Sequence, residues 1–113
     1  MPRVLNKNGL IAVLDVGTSK TCCLLARPLE NEKIEPISIG FYQSRGIDKG
    51  EISDLNAAVQ SVKSAVAEAE KQTGERIEIV VATATAKQLM SELVNESMPL
   101  DGKEVTQADV GRL

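Results

Sequence analysis

The sequence predicts an α/β fold in which three strands are followed by one helix and a fourth strand. Two observations lead to this prediction. Three short apolar runs, bounded by glycine, proline and polar turn residues, occupy the first 42 residues. The apolar spacing then changes to three and four residues, which indicates a helix, before another apolar run begins at Ile77. We therefore expect the order β-β-β-α-β over residues 1–82.

The first three runs predict strands that begin with a hairpin. Leu10–Val16 is almost continuously apolar, as is typical of a strand buried on both faces. Gly17-Thr18-Ser19 predicts a tight turn, and Thr21–Arg27 then predicts the second strand. Ile34–Tyr42 alternates apolar and polar residues and predicts the third strand, with Pro36 near its start or on a sheet edge.

A helix is predicted after the loop Gln43–Ser53. Ser53 or Asp54 suits its N-cap position, and Gly74 suits its C′ position. Its apolar face is composed mainly of alanine and valine, which allows close approach to a sheet. The residues of this face are Leu55, Ala58, Val59, Val62, Ala65, Val66 and Ala69. Ile77–Ala82 predicts the fourth strand that follows.

The last thirty or so residues carry weaker signals. Ala84–Val94 has helical propensity, and Ser97–Leu100 has the pattern of a strand entering a turn. Thr106–Asp109 resembles a capping box, which predicts the start of a further helix.

Composition excludes several classes of function. The chain has 13 Lys and Arg against 16 Asp and Glu, a formal charge of −3, and only two aromatic residues, so nucleic acid is not an expected partner. It contains no histidine, and its two cysteines, Cys22 and Cys23, are adjacent. Adjacent residues of a strand rarely form a disulfide, so we interpret both as small buried side chains. The apolar runs are too short for a signal peptide or a membrane span, and we expect a cytoplasmic protein.

The candidate chemistry lies in the turn between the first two strands. Backbone N–H groups at a tight turn can form an anion-binding concavity, Gly17 permits close approach, and the Thr18 and Ser19 hydroxyls can bind phosphate oxygens. Lys20 adds a positive charge, and Asp15 can hold a hydrated magnesium ion. The spacing is not that of a Walker A loop. The pattern by itself favours a purely structural hairpin, because many hairpins contain such residues for turn geometry alone.

Three segments resemble known proteins. Asp15–Lys20 (DVGTSK) between two apolar strands resembles the first phosphate-binding hairpin of the actin/Hsp70/sugar-kinase superfamily, whose fold is ribonuclease H-like. Ser44–Gly50 (SRGIDKG) and Glu104–Val110 (EVTQADV) resemble the bacterial cell-division protein family FtsA. The chain departs from that family after the fourth strand, where Ala82–Ala86 stands in place of an expected Ser-Gly motif.

The resemblance implies a fold and a ligand. Residues 1–82 would be the N-terminal part of actin-like subdomain 1A, and residues 83–113 the beginning of an FtsA-type subdomain 1C. The cofactor would be ATP with Mg²⁺, with Asp15 at the metal and Gly17, Thr18, Ser19 and Lys20 around the phosphates. The resemblance implies at most slow hydrolysis, and the second phosphate hairpin and the adenosine site lie outside these residues. Whether the chain is an enzyme is therefore left open.

The resemblance also implies partners. The whole protein would self-associate into filaments and tether filaments of FtsZ to the cytoplasmic face of the inner membrane at the division site, through a C-terminal membrane helix that this chain does not contain. Two alternatives remain at this point. In the first, the chain is a truncated interaction module that binds no nucleotide. In the second, it is another actin-superfamily member, such as a pilus-assembly or rod-shape homologue.

Overall fold

The computed structural model describes residues 5–83, Leu89 and residues 104–106. Its elements are β1 (Ile11–Val16), β2 (Lys20–Pro28), β3 (Ile34–Gln43), β4 (Ile47–Asp48), β5 (Glu51–Ile52), α1 (Leu55–Thr73), β6 (Ile79–Ala82) and β7 (Glu104–Thr106). Five strands form one sheet in the order β3-β2-β1-β6-β7, and β4 pairs with β5 in a separate hairpin. The predicted α/β fold with its β-β-β-α-β order is confirmed.

The sheet is mixed, and its register brings the ends of three strands together. β1 and β2 are antiparallel up to the pair Val16↔Thr21, where the hairpin turn begins. β1 and β6 are parallel, with Leu14 opposite Ala82. The carboxyl ends of β1 and β6 therefore meet at the edge that carries the hairpin turn. Ligands of open α/β sheets bind at such edges.

Helix α1 packs on one face of the sheet and contributes much of the core. The Asp54 carboxylate accepts a hydrogen bond from the Ala57 amide at 3.2 Å, and Gly74, at φ 72°, ends the helix. The predicted apolar face is buried from Ala58 to Ala69. The approach to β3 is close, because a Cβ atom at Gly40 would overlap the carbonyl oxygen of Ala65.

Asn6 fastens the N-terminal segment to the start of β6. Its side chain is only 5% exposed. Its Nδ2 donates to the carbonyl oxygens of Leu10 and Ile79, both at 3.1 Å. Its Oδ1 accepts from the amides of Glu78 at 2.6 Å and Ile79 at 2.8 Å. β6 begins at Ile79 and not at Ile77 as predicted, because the Ile77 amide donates to the Glu70 carboxylate and the Glu78 amide to Asn6, while strand pairing starts at Ile79↔Glu104.

The structure contains elements that the sequence patterns did not predict. The hairpin of β4 and β5 lies inside the predicted loop, and its two-residue strands are too short to show an alternating pattern. The strand β7 pairs in parallel with β6, from Ile79↔Glu104 to Val81↔Thr106. The predicted strand Ser97–Leu100 and the helix predicted after Thr106 lie outside the described residues. Of the predicted helix Ala84–Val94 only Leu89 is described, and it is helical and fully buried.

Candidate functional site

The tip of the β1–β2 hairpin presents two backbone donors. The Gly17 amide donates to the Lys20 carbonyl oxygen at 2.9 Å, which leaves Thr18 and Ser19 as the turn. Within the part of the chain that the structure describes, the N–H groups of Thr18 and Ser19 have no acceptor. Successive N–H groups of this kind form a concavity that binds anions. The hairpin therefore has donors to offer a phosphate group.

The hairpin is held in place by the loop that follows β3. The Thr18 hydroxyl accepts a hydrogen bond from the Gly50 amide at 2.9 Å, at the tip of the β4–β5 hairpin. The Ser44 amide donates to the Ser19 carbonyl oxygen at 3.0 Å, and the hydroxyls of Ser44 and Thr21 are 2.8 Å apart. Because the Thr18 oxygen accepts from Gly50, its own proton is left to donate to a ligand.

Asp15 is exposed near the end of β1 and has a partner in the residue that follows β6. The Thr83 hydroxyl donates to Asp15 Oδ1 at 3.1 Å, and the Thr83 amide donates to the Leu14 carbonyl oxygen at 3.0 Å. Sequence reasoning did not single out Thr83 as a site residue. The available signal was its position, as a hydroxyl residue directly after a buried strand.

Lys20 lies to one side of the turn. Its ammonium nitrogen is 5.6 Å from the centroid of the Phe41 ring, a cation–π distance. Next to it is an open cavity of about 580 Å³ between the hairpin turn and the end of β3. The residues that line this cavity are Thr18, Ser19, Lys20, Phe41, Tyr42, Gln43 and Ser44. The structure thus places Gly17, Thr18 and Ser19 at the turn, Asp15 on β1 before it, and the Lys20 ammonium near the Phe41 ring.

The cysteines of β2 differ in their surroundings. Cys23 is fully buried in the core beneath α1, as predicted, whereas Cys22 is half-buried on the opposite face and stands across from Asp15. Burial raises the pKa of the Cys22 thiol, the Asp15 carboxylate raises it further, and the Lys20 ammonium opposes both effects. The Cys22 thiol is therefore held in its protonated form.

Asp15 provides a single carboxylate for a metal ion. Among the residues described, no group of three or more His, Cys, Asp or Glu side chains lies close enough to hold one. Mg²⁺ typically keeps several of its waters and binds through one or two carboxylates together with phosphate oxygens. An exposed carboxylate on the strand that leads into a turn with two N–H groups lacking an acceptor fits this mode of binding. Over the same described residues, no helix has the length and apolar character needed to cross a bilayer.

Comparisons with known proteins identify relatives. No protein-family model matches the chain. It is 29% identical over 117 residues to the cell division protein FtsA of Agrobacterium fabrum, covering 95% of this chain and 26% of that protein. It is 32% identical over 101 residues to FtsA of Escherichia coli, covering 89% of this chain and 24% of that protein. The chain thus spans about a quarter of the length of the curated relatives it matches.

Solved structures support the fold. The ethanolamine utilization protein EutJ of Carboxydothermus hydrogenoformans superimposes with a TM-score of 0.62 at 16% identity, covering 87% of this chain and 35% of that one. A diol dehydratase-reactivating factor in nucleotide-free form superimposes with a TM-score of 0.50 at 21% identity, covering 64% of this chain and 12% of that one. Both are actin-like folds. The predicted resemblance to FtsA and the partial actin-like architecture are confirmed.

Proposed function

We propose that this chain, which is similar to FtsA over 95% of its length, is a portion of an actin-like cell-division protein and supplies one wall of an ATP site. The observation that supports the site is the hairpin turn, where the N–H groups of Thr18 and Ser19 have no acceptor among the described residues and follow the exposed Asp15 carboxylate near the carboxyl end of β1. Anionic phosphate and a divalent cation are the ligands that such a pair of features suits.

Each residue has a distinct role in this proposal. The Thr18 and Ser19 N–H groups and hydroxyls donate to phosphate oxygens, while the bond from Gly17 to Lys20 fixes the turn. Lys20 neutralises phosphate charge after its ammonium leaves the Phe41 ring, at a cost of about 0.5–1 kcal/mol for an exposed cation–π contact. Asp15 orients the waters of the cation. When bound, MgATP supplies the phosphate chain and the metal ion.

The wider role belongs to the whole protein, and we propose it on the similarity to FtsA. It comprises self-association into filaments and the tethering of FtsZ to the cytoplasmic face of the membrane at the division site. Residues 1–82 would form the first part of subdomain 1A, and residues 83–113 would begin subdomain 1C. In this arrangement the second segment contributes β7 to the sheet of the first.

The ATP site is tested by solution NMR on the full chain, which measures weak binding residue by residue. MgATP is expected to shift the amide resonances of residues 17–20, and the affinity is expected to fall in Lys20→Ala. Lys33→Ala removes a charge from the turn before β3 and serves as the matched control. Shifts that are absent at the hairpin, or equal losses in both variants, would contradict the proposal.

One observation favours the alternative of an interaction module. The edge strand β3 exposes four large apolar side chains: Ile34, Ile39, Phe41 and Tyr42 are between 40% and 51% exposed. A second copy of the chain is the partner that this hypothesis names. Sedimentation would then show concentration-dependent association that Phe41→Ser weakens and Leu29→Ser, an equally exposed residue beyond the strands, does not. A monomer at all concentrations would exclude it.

A further inference from the structure

The Asp15 carboxylate is held from the neighbouring parallel strand. Its Oδ1 accepts the hydroxyl proton of Thr83 at 3.1 Å, and its Oδ2 has no hydrogen-bond partner among the residues that the structure describes. The two residues face each other because β1 and β6 are in register at Leu14↔Ala82, one position earlier. One oxygen is therefore fixed and the other is available to a ligand.

The Thr83 side chain is itself well fixed. The bond from its amide to the Leu14 carbonyl oxygen, at 3.0 Å, extends the β1–β6 pairing by one residue and sets the backbone. A β-branched side chain has few χ1 rotamers, and the one adopted here brings the Thr83 hydroxyl within hydrogen-bond distance of Asp15 Oδ1. An exposed carboxylate without such a partner would rotate freely between orientations, and binding a cation would require it to lose that freedom.

We propose that Thr83 is a positioning residue for Asp15, orienting the carboxylate so that Oδ2 faces the hydrated cation of a bound nucleotide. This inference rests on the proposed ATP site. Residues that hydrogen-bond a metal-binding carboxylate fix its orientation in the same way in known metal sites. Thr83 does not contact the phosphate groups in this proposal, so it affects only the part of the affinity that depends on Mg²⁺.

The test compares the affinity of the full chain for ATP with and without Mg²⁺, followed by NMR shifts of the hairpin amides. Thr83→Val keeps the branched shape and removes the hydroxyl. We expect it to weaken MgATP binding about tenfold, in the range seen for such supporting residues, and to leave the affinity for ATP in excess chelator unchanged. Thr83→Ser restores the hydroxyl and is expected to restore most of the Mg²⁺-dependent affinity.

Two further variants separate the possible results. Asp15→Asn is expected to remove the Mg²⁺ dependence altogether. Thr73→Val makes the same chemical change at the far end of α1, where the hydroxyl contacts only helix carbonyls and the amide of Glu75. It is expected to leave the Mg²⁺ dependence intact even though it disturbs the helix end. A loss of Mg²⁺ dependence in this variant would show that general destabilisation explains the effect, and would overturn the inference.

The outcomes distinguish this inference from the proposed function. If the unaltered chain shows no Mg²⁺-dependent binding of ATP, both are wrong. If Asp15→Asn removes the Mg²⁺ dependence but Thr83→Val preserves it, the ATP site stands and the role of Thr83 is wrong. If Thr83→Ser behaves like Thr83→Val, the hydroxyl is not the active group and the inference is also wrong. Where Thr83→Val does not fold, Thr83→Ala provides the same comparison.

Discussion

Replacing Asn6 with alanine removes four side-chain hydrogen bonds, of which three join the N-terminal segment to Glu78 and Ile79 at the start of β6 and one goes to Leu10. The Leu10 carbonyl oxygen keeps a partner, because the Asn6 backbone amide also donates to it at 2.8 Å. The amides of Glu78 and Ile79 lose the Oδ1 acceptor. A fully buried donor left unsatisfied costs roughly 1–3 kcal/mol, and these two amides are part-buried, so we expect the free energy of unfolding to fall by about 2–3 kcal/mol. That is a large fraction of the roughly 5–15 kcal/mol typical of a domain.

The assay is urea unfolding followed by far-ultraviolet circular dichroism, because the chain has no tryptophan to report by fluorescence. Asn6→Asp keeps the acceptor and loses the donor, and it places a carboxylate beside two carbonyl oxygens, so it is expected to destabilise as well. Asn56→Ala, on the exposed surface of α1, is the matched control and should change stability little. A loss below about 1 kcal/mol in Asn6→Ala would show that water satisfies the part-buried amides of Glu78 and Ile79, and would refute this reasoning.

Three further changes test packing, capping and electrostatics. Gly40→Ala should lower the free energy of unfolding by about 1–3 kcal/mol, because its Cβ overlaps the Ala65 carbonyl oxygen and α1 must shift; an unchanged urea midpoint would contradict this. Asp54→Ala removes the helix cap and should lower the free energy of unfolding by about 1 kcal/mol in the same assay; an unchanged value would show that water replaces the bond and would contradict this. Alkylation of Cys22 should be slow near neutral pH, because a raised pKa reduces the reactive thiolate. Asp15→Asn should lower that pKa and move the rate profile to lower pH, and an identical profile would exclude the influence of Asp15.

The elements that could be predicted carry their signals locally. The hairpin follows from two apolar runs joined by Gly17-Thr18-Ser19, and α1 follows from its period and its caps at Asp54 and Gly74. The same local signal pointed to the five candidate residues, of which Gly17, Thr18 and Ser19 lie at the turn and Asp15 on the strand before it, and their role as a site stays a prediction. The position of the Lys20 ammonium could not be predicted in this way. It depends on Phe41 of β3, and no motif connects these two residues.

The features that could not be predicted depend on residues far apart in the chain. Asn6 and Ile79 are separated by 73 positions, and Thr83 and Asp15 by 68. A single polar residue next to an apolar run gives no indication of its partner. The strand β7 was missed for the same reason, since three residues become a strand only through pairing with β6. Tertiary pairing, and not local propensity, decides such short strands.

The position of β6 in the sheet has a consequence for the order of folding. β1, β2, β3 and α1 follow one another in sequence and pack together, so they can assemble through short loops. β6 then adds beside β1 in the least local pairing among the described strands, with 68 positions between Asp15 and Thr83, and non-local pairings tend to form late. We therefore expect the anion-binding turn to be formed early and the orientation of its carboxylate to be set late. Affinity for magnesium would then develop only in the last stage of refolding, after affinity for phosphate alone.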